Sequence, residues 1–285
     1  MVILDGRKVA TAIEEEIKKT VDNSLSTTPR LGIITIGENP ASEVYVRQKL
    51  KAAERCGIHT NHTRCNDPAT ARSYIRHMTF SGYDGIIVQL PLPEFYADNT
   101  DTLINYIPDD RDVDGLTYAN QFRLVVDDDR DYFAPCTPEG VMRLLEAYNV
   151  DPDGMNVTII GRSKLVGGPL AQMMLRKNAT VTVCHSKTSK LDLIRHCREA
   201  DIVVSACGVP NLVNADMLKD DAVVIDVGIS RVDGKLCGDV DIQSLEHTNC
   251  KVTPVPGGVG PMTVAILMEH VVKSALRHER WRVTK

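Results

Sequence analysis

The stretch that decides the class of fold is NVTIIGRSKLVGGPLAQMM, residues 156–174. It begins with a β-branched run that is typical of a buried strand, passes through a glycine-containing loop, and opens a helix near residue 168. Dinucleotide-binding folds hold a pyrophosphate at this point, on the free backbone N–H groups of a helix start. Gly161, Gly167 and Gly168 are spaced more widely than in the G-x-G-x-x-G fingerprint, so a simple strand-to-helix turn is the alternative interpretation.

The elements around this loop predict an alternating α/β region. The expected elements are a helix near 138–148, strands over 156–161 and 180–185, a helix over 191–199, strands over 201–207, 222–228 and 251–256, and a last helix that begins near Pro261. This alternation predicts a doubly wound, Rossmann-like domain over residues 138–269.

The first half of the chain predicts a second α/β domain. Its apolar runs LGIITIG and DGIIVQLPLP are expected to form buried parallel strands over 31–37 and 84–93. The elements expected between them are helices over 40–56 and 70–79 and a weaker strand near 58–64. This order indicates a parallel sheet covered by helices. We expect the domain to span 1–137, with an irregular segment up to about residue 135 and with residues 270–285 of the C-terminal helix returning to it.

Composition narrows the class of protein. The 285 residues are 43% hydrophobic and 25% charged, which is typical of a soluble protein with two domains. A net charge of −5 argues against a nucleic-acid surface. The start MVILDGRKVA carries charges where a signal peptide needs an apolar run, and we expect no stretch long enough to span a bilayer. Eight cysteines without a disulfide-rich spacing favour reduced thiols and a cytoplasmic location.

Two polar clusters resemble metal sites. CGIHTNHTRC places Cys56, His59, His62 and Cys65 at three-residue intervals, but in a strand positions 59 and 62 point to opposite faces and their ligands do not converge. The acidic run Asp127 to Asp131 has no Gly or Glu at calcium-loop spacing and is expected to be a solvated loop. We therefore predict no metal site.

The sequence SEVYVRQKLKAAERCG, residues 42–57, predicts an amphipathic helix. Val46, Leu50 and Ala53 fall at helical spacing and are expected to face a core. Tyr45 and Lys49 lie four residues apart on a neighbouring face. Lys49 is therefore either one more solvated lysine or a lysine held against an aromatic ring in order to move protons.

The choice of cofactor depends on the end of the second strand of the doubly wound domain. An NAD-binding fold typically places an Asp or Glu there, which accepts from the ribose 2′-OH. The corresponding segment here is CHSKTSK, with Ser186 and Lys187 and no acid, and Arg162 adds positive charge from the glycine loop. This setting favours a 2′-phosphate, so we predict NADP rather than NAD; exposed polar loop residues without a ligand are the alternative.

Several motifs occur together and in a fixed order: VYVRQK, VQLPLP, DVDG, PCTPEG, GRSKLVGGP, CHSKT and PVPGGVGPMTVA. With them, nearly the whole chain closely resembles the bifunctional methylenetetrahydrofolate dehydrogenase/methenyltetrahydrofolate cyclohydrolase family. The resemblance implies NADP-dependent oxidation of 5,10-methylenetetrahydrofolate to the 5,10-methenyl compound, followed by hydrolysis to 10-formyltetrahydrofolate. It also implies a homodimer.

The resemblance implies roles for individual residues. Tyr45 stacks on the substrate rings, Lys49 is the main catalytic group, and Gln89 hydrogen-bonds Lys49. Asp114, the second aspartate of DVDG, receives the N–H groups of the pterin. The other folate-binding residues implied are Val88, Leu90, Pro256, Gly257, Gly258, Val259 and Gly260. The cofactor-binding residues implied are Gly161, Arg162, Ser163, Ser186 and Ile229. Without the resemblance, Asp114 as a turn-forming aspartate and Gln89 as a structural glutamine are the alternatives.

The chain departs from the family pattern at Phe122, where glycine is common, which puts the shape of that loop in doubt. Two other functions remain open. One is a dehydrogenase, using NAD or NADP, that lacks the hydrolytic step; the retained Lys49 and Gln89 argue against it. The other is a non-catalytic module that senses NADP, which has no need for those two residues together with Asp114.

Overall fold

The computed structural model describes residues 1–126 and 131–283. At residue 41 and at residues 281–283 it describes the backbone and not the side chains. The acidic run Asp127 to Asp131, expected to be a solvated loop, therefore lies outside the described residues except for Asp131. The side chain of Asp131 is 81% exposed, and its Oδ2 lies 3.4 Å from Nε of Arg277.

The elements within the described residues alternate along the chain. The strands are β1 Val2–Ile3, β2 Arg30–Ile36, β3 His59–Cys65, β4 Gly85–Val88, β5 Asn156–Ile160, β6 Thr180–Cys184, β7 Ile202–Ser205, β8 Val223–Asp226, β9 Ser230–Val232, β10 Lys235–Cys237 and β11 Lys251–Val252. The helices are α1 Gly6–Ser24, α2 Pro40–Cys56, α3 Pro68–Phe80, α4 Thr100–Ile104, α5 Tyr118–Val126, α6 Cys136–Ala147, α7 Gly167–Arg176, α8 Lys190–Glu199 and α9 Val259–Val283.

The chain divides into two compact units. The six-stranded unit comprises Met1–Ala10 and Thr137–Thr263, and the three-stranded unit comprises Thr11–Cys136 and Val264–Lys285. These bounds correct the expected ones at both ends of the chain. Residues 1–10 belong to the six-stranded unit because β1 pairs in parallel with β11, and residues 264–269 belong to the three-stranded unit.

The six-stranded unit contains a parallel sheet in the order β1-β11-β8-β7-β5-β6. Alternate strand residues enter different cores: Ile159 and Val204 pack with Leu145 and Met174, whereas Ile160 and Val203 belong to a second buried cluster. Because successive side chains point to opposite faces, the sheet is covered on both sides. The doubly wound prediction is confirmed. The strand order reverses at β5, because β6 lies on one side of it and β7 on the other.

The three-stranded unit contains a parallel sheet in the order β3-β2-β4. Ile34, Ile36 and Ile86 pack with Ile75 and Met78 of α3 in a buried cluster. The C-terminal helix returns to this unit as expected. The His270 ring packs against Phe133 with 5.0 Å between ring centroids, and Ser274 Oγ donates to the carbonyl of Asp84 at 2.6 Å.

Some local expectations were wrong. The segment up to residue 135 is not irregular throughout, because it contains α5, which carries Phe122 in ordinary helical conformation with the side chain 63% exposed. The β9–β10 hairpin was not expected, and β4 ends at Val88 rather than near residue 93. The helix can accommodate Phe122 because it requires no positive φ angle there.

The expectation about apolar stretches was also wrong. The stretch Val259–Arg280 is long and apolar enough to cross a membrane by length and composition, and 67% of that window is buried inside the protein. Such burial is typical of a core helix of a folded domain.

His59, His62 and Cys65 of the cysteine and histidine cluster lie on a strand, β3, as expected. Cys56 ends α2 and Cys65 ends β3, and their thiols donate to the carbonyl oxygens of Glu14 and Thr35. Burial raises the pKa of Cys56 to about 12 and also raises that of Cys65. Among the described residues, no three His, Cys, Asp or Glu side chains are grouped so that they could hold a metal ion.

A histidine on α9 hydrogen-bonds two carboxylates of the three-stranded unit. Nδ1 of His278 lies 3.1 Å from Asp84, and its Nε2 lies 3.2 Å from Asp110. These hydrogen bonds, that to Asp110 first, raise the pKa of His278, and the bond from His278 lowers the pKa of Asp110. A raised histidine pKa gives stability that is fully present below about pH 6.5 and is lost as the pH rises through the folded-state value.

We therefore expect His278→Gln to lower the free energy of unfolding by about 1–3 kcal/mol at pH 6, because the neutral amide of glutamine cannot supply the positive charge of the protonated imidazole between the two carboxylates. The loss should be smaller at pH 9, where the histidine is neutral. Urea unfolding at the two pH values measures the difference. His59→Gln, at an exposed histidine of the same unit, is the control. An equal loss for His278→Gln at both pH values would mean that its charge contributes nothing.

Candidate functional site

Lys49 is buried in the three-stranded unit. The residue is only 7% exposed, and no carboxylate among the described residues forms an ion pair with it. Val46 and Ala53 of the same helix enter the core, as expected, and Tyr45 lies half-buried one turn before Lys49. A buried ammonium without a counter-ion is costly and is rare in proteins unless it has a function. The interpretation of Lys49 as a solvated lysine therefore does not fit the structure.

Gln89 follows β4 directly, at the carboxyl end of the strand, between Val88 and Leu90. Its backbone N–H donates to the carbonyl of Ile34 at 2.8 Å, and its Nε2 donates to the carbonyl of Leu90 at 2.7 Å. Its Oε1 is buried and has no hydrogen-bond partner in the described structure. The expected hydrogen bond from Gln89 to Lys49 is not formed. The amide oxygen is left able to accept from a ligand or from an amine.

Ser42 is a polar residue that the sequence analysis missed. A small, partly open pocket in the three-stranded unit is lined by Thr35, Ile36, Gly37, Asn39, Ser42, Glu43, Arg64, Gln89 and Pro91. The hydroxyl of Ser42, like the Oε1 of Gln89, is buried without a partner in the part of the chain that the structure describes. The sequence spacing could have identified Ser42, because positions 42, 45 and 49 share one helical face.

The two aspartates of DVDG have different surroundings. The carboxylate of Asp112 accepts from the backbone N–H groups of Leu116 and Thr117 and from Nδ2 of Asn120, and burial raises its pKa. Asp112 therefore forms the turn. Asp114 is half-buried, and among the described residues no donor lies within hydrogen-bonding distance of its carboxylate. The turn-forming alternative fits Asp112, while Asp114 remains available to bind donors.

The glycine loop of the six-stranded unit is closely packed. A Cβ atom at Gly167 would lie 2.0 Å from the carbonyl oxygen of Gly161, and one at Gly161 would lie 2.5 Å from that of Ala206. No side chain can occupy either position. Helix α7 begins at Gly167 without a side-chain cap. The Gly168 N–H donates to the carbonyl of Ser163 at 3.0 Å and Pro169 has no N–H, so among the described residues the Gly167 N–H is the group of the first turn left for an anion. The residues present therefore fit a bound pyrophosphate.

The residues predicted to contact the 2′-phosphate follow two neighbouring strands. Strands β5 and β6 pair in parallel with Ile160 opposite Cys184, so Arg162 and Ser186 lie just beyond adjacent strand ends. Arg162, Ser163 and Ser186 are exposed, and residues 185–190 contain no acid. An acid there would repel a 2′-phosphate, so this arrangement favours NADP.

The remaining predicted residues also lie in the six-stranded unit. Ile229 follows β8 and is 43% exposed. Pro256, Gly257 and Gly258 lie in a turn, and Val259 and Gly260 begin α9. The Gly258 N–H donates to the carbonyl of Pro254 at 2.8 Å, and the Gly257 carbonyl accepts from the Arg7 N–H at 3.0 Å. The structure thus gives each of these residues a defined conformation.

Two family models match the chain. The model described as the tetrahydrofolate dehydrogenase/cyclohydrolase catalytic domain matches residues 4–114. The model described as the NAD(P)-binding domain of the same family matches residues 135–279. Among curated relatives, the bifunctional protein FolD of Methanosphaerula palustris is 46% identical over 277 residues, which cover 96% of each chain.

Solved structures agree with the family models. The bifunctional FolD dehydrogenase/cyclohydrolase of Campylobacter jejuni is similar with a TM-score of 0.92 and 41% identity, covering 98% of this chain and 99% of that one. The methylenetetrahydrofolate dehydrogenase-cyclohydrolase of Trypanosoma brucei was solved with NADP and an inhibitor. It is similar with a TM-score of 0.91 and 34% identity, covering 98% of this chain and 99% of that one.

This chain belongs to the tetrahydrofolate dehydrogenase/cyclohydrolase family. It is an enzyme with two activities: NADP-dependent oxidation of 5,10-methylenetetrahydrofolate to 5,10-methenyltetrahydrofolate, and hydrolysis of that product to 10-formyltetrahydrofolate. Its substrates are folates of one-carbon metabolism.

Arg162 offers a direct test of the cofactor site. We expect Arg162→Ala to weaken NADP binding by about 1.5–3 kcal/mol, the value of a hydrogen bond to a charged group, and to change NAD binding little. Calorimetry with both nucleotides measures the difference. Lys177→Ala, at an exposed lysine beyond the other end of α7, is the matched control. Equal losses of NADP and NAD affinity would assign Arg162 to another part of the nucleotide.

Proposed function

We propose that Lys49 is the group that moves protons in the hydrolytic step. The observation that carries this proposal is the burial of Lys49, with no ion pair to any described residue, one turn after Tyr45 on the same helix. The amine takes a proton from the water that attacks the methenyl carbon, and returns it to the ring nitrogen that leaves when the C–N bond breaks.

Gln89 and Tyr45 act with Lys49. The unpartnered Oε1 of Gln89 is suited to accept from the lysine amine or from the attacking water. Tyr45 presents a flat, partly apolar ring against which the folate rings stack. Val88 and Leu90 flank Gln89 and line the folate beside it.

Asp114 orients the folate. A free carboxylate accepts two parallel N–H groups from an aminopyrimidine edge, a charge-assisted contact that fixes both position and direction. We further propose that Pro256, Gly257, Gly258, Val259 and Gly260 contribute to folate binding. Their support is the match to the family motif PGGVG and the hydrogen-bonded turn at Gly257 and Gly258 that leads into α9.

Gly161, Arg162, Ser163, Ser186 and Ile229 hold NADP in this proposal. When bound, the nucleotide supplies the hydride acceptor, and the protein contributes position: the N-terminal end of α7 at Gly167 for the pyrophosphate and the Arg162 charge for the 2′-phosphate. The hydrolytic step needs no nucleotide. The two activities should therefore be separable by substitution.

We also propose that the enzyme is a cytoplasmic homodimer. All eight cysteines lie among the described residues and none is in a disulfide, which is typical of a reducing compartment. Apolar side chains on the hairpin of the six-stranded unit support self-association, because Val232 and Leu236 are 44% and 41% exposed. Sedimentation of the purified protein at micromolar concentration tests the dimer, and a monomer at that concentration would contradict it.

The absorbance of methenyltetrahydrofolate tests the whole proposal. With methylenetetrahydrofolate and NADP, the wild-type enzyme should form the methenyl compound only transiently, and with methenyltetrahydrofolate alone it should remove it without any nucleotide. Accumulation of the methenyl compound would indicate a dehydrogenase without the hydrolytic step. Binding of NADP without either reaction would indicate a sensing module.

A further inference from the structure

The loop Ser205–Gly208 lies where the six-stranded sheet reverses its strand order. It follows β7, which pairs with β5, and the Ala206 N–H donates to the carbonyl of Ile160 at 2.8 Å. Its backbone also packs against Gly161, whose added Cβ would meet the carbonyl of Ala206. Ligands of doubly wound sheets bind in the crevice at this point. The conformation of the loop therefore matters to the nucleotide site.

The buried carboxylate of Asp239 holds this loop from a distant part of the chain. Its Oδ2 accepts from Ser205 Oγ at 2.9 Å and from the backbone N–H groups of Cys207 and Gly208 at 2.9 and 3.2 Å. Asp239 is fully buried, at 0% exposure. These three hydrogen bonds, and a fourth from the thiol of Cys207 at 3.3 Å, converge on one oxygen atom of Asp239.

A second buried carboxylate holds Asp239 in turn. Asp226 ends β8, and its oxygens accept from the backbone N–H groups of Gly228, Asp239 and Val240 at 3.1, 3.0 and 2.9 Å. The Gly228 bond orders the segment that leads to Ile229. The bonds to 239 and 240 fix the backbone from which the Asp239 side chain extends.

The backbone is shaped to admit both carboxylates. A Cβ atom at Gly228 would lie 2.0 Å from Oδ1 of Asp239, and one at Gly238 would lie 1.9 Å from Oδ2 of Asp226. Each carboxylate therefore lies directly against a glycine beside the other aspartate. Such reciprocal packing leaves little freedom for either side chain to move.

This arrangement carries an electrostatic cost. Neither aspartate forms an ion pair within the part of the chain that the structure describes, and Oδ1 of Asp239 is buried without a partner there. Burial raises the pKa of Asp226 to about 6, and the charge of Asp239 adds to the effect. Folded proteins rarely keep two unpaired buried carboxylates so close together unless the position of the hydrogen-bonded groups matters.

We infer that Asp239 and Asp226 are positioning residues of the nucleotide site: Asp239 sets the Ser205–Gly208 loop, and Asp226 sets both Asp239 and the approach to Ile229. The inference rests on the proposed assignment of Ile229 and the glycine loop to NADP. Because both aspartates are buried, they act through the backbone and do not touch the nucleotide. Only the step that uses NADP should depend on them.

Asp239→Asn is the main test, since the amide nearly preserves the shape but weakens acceptance of the four hydrogen bonds. We expect the NADP dissociation constant, measured by calorimetry, to rise about tenfold or more. The KM for NADP should rise with it, while the rate of methenyltetrahydrofolate hydrolysis without nucleotide stays within about twofold of wild type. Asp241→Asn is the matched control, since Asp241 accepts from the Ser244 N–H in the same segment but does not contact the loop.

Ser205→Ala provides a milder second variant. Ser205 is fully buried, so its hydroxyl can affect NADP only through the loop. We expect a rise of about two- to fivefold in the NADP dissociation constant with hydrolysis unchanged. If Asp239→Asn does not fold, Ser205→Ala decides alone. Unchanged NADP affinity, or a loss of hydrolysis in parallel with NADP affinity, would overturn the inference. Wild-type protein that lacked either activity would instead refute the proposed function.

Discussion

Lys49→Met should reduce methenyltetrahydrofolate hydrolysis by about 10²–10⁴-fold, the usual contribution of a positioned general acid–base. Methionine keeps the length and apolar stem of the side chain in its buried position but carries no proton. NADP affinity should stay near wild type, and some dehydrogenase activity should remain, because hydride transfer needs no such base. The methenyl compound should then accumulate during turnover, which its absorbance reports.

Two further substitutions at this helix sharpen the test. Lys49→Arg should also lose methenyltetrahydrofolate hydrolysis, because a guanidinium does not lose its proton at accessible pH. Lys51→Met is the matched control, since Lys51 is an exposed lysine two residues along α2 and should be nearly silent. Hydrolysis at the wild-type rate by Lys49→Met would remove Lys49 from the mechanism.

Asp114→Ala should raise the KM for the folate substrate by roughly 10- to 100-fold, the loss of about 1.5–3 kcal/mol of charge-assisted hydrogen bonding. NADP affinity, measured by calorimetry, should stay near wild type, because Asp114 lies in the three-stranded unit and the glycine loop lies in the six-stranded one. The carboxylate of Asp114 has no donor among the described residues, so its removal should leave stability almost unchanged.

Neighbouring aspartates separate binding from folding in this test. Asp98→Ala, at an exposed aspartate of the same unit, should change neither KM nor stability. Asp112→Ala should lower the free energy of unfolding, because three donors would lose their acceptor. If Asp114→Ala lost stability and NADP affinity together, Asp114 would have a folding role.

Much of the fold could be predicted because its signals are local. The expected helix over 40–56 coincides with α2, and the β-branched runs near 31–37 and 156–161 became β2 and β5 within a residue. These signals depend on residues two to four positions apart, which the period of a strand or helix places on one face. Helix α5 and the β9–β10 hairpin were missed, because an acidic, turn-rich stretch and two three-residue strands carry almost no periodicity.

The candidate site could be predicted only in part. The motifs identified Tyr45, Lys49, Gln89 and Asp114. They did not indicate which aspartate of DVDG forms the turn. Ser42 was missed although it shares the helical face of Tyr45, since a serine near a helix start is more often a cap. The predicted Gln89–Lys49 hydrogen bond is absent, because the amide of Gln89 instead donates to the neighbouring carbonyl of Leu90.

The sequence by itself determined the two α/β domains, the nucleotide loop, the family and the residue types of the chemistry. Only the tertiary structure decided that residues 1–10 join the six-stranded unit, that Lys49 is buried with no counter-ion among the described residues, and that Asp239 holds a loop 34 residues away. The physical reason is distance along the chain. Local patterns arise from the geometry of the backbone, whereas burial and hydrogen bonds between remote segments exist only after the strands have paired and the carboxylates have been enclosed.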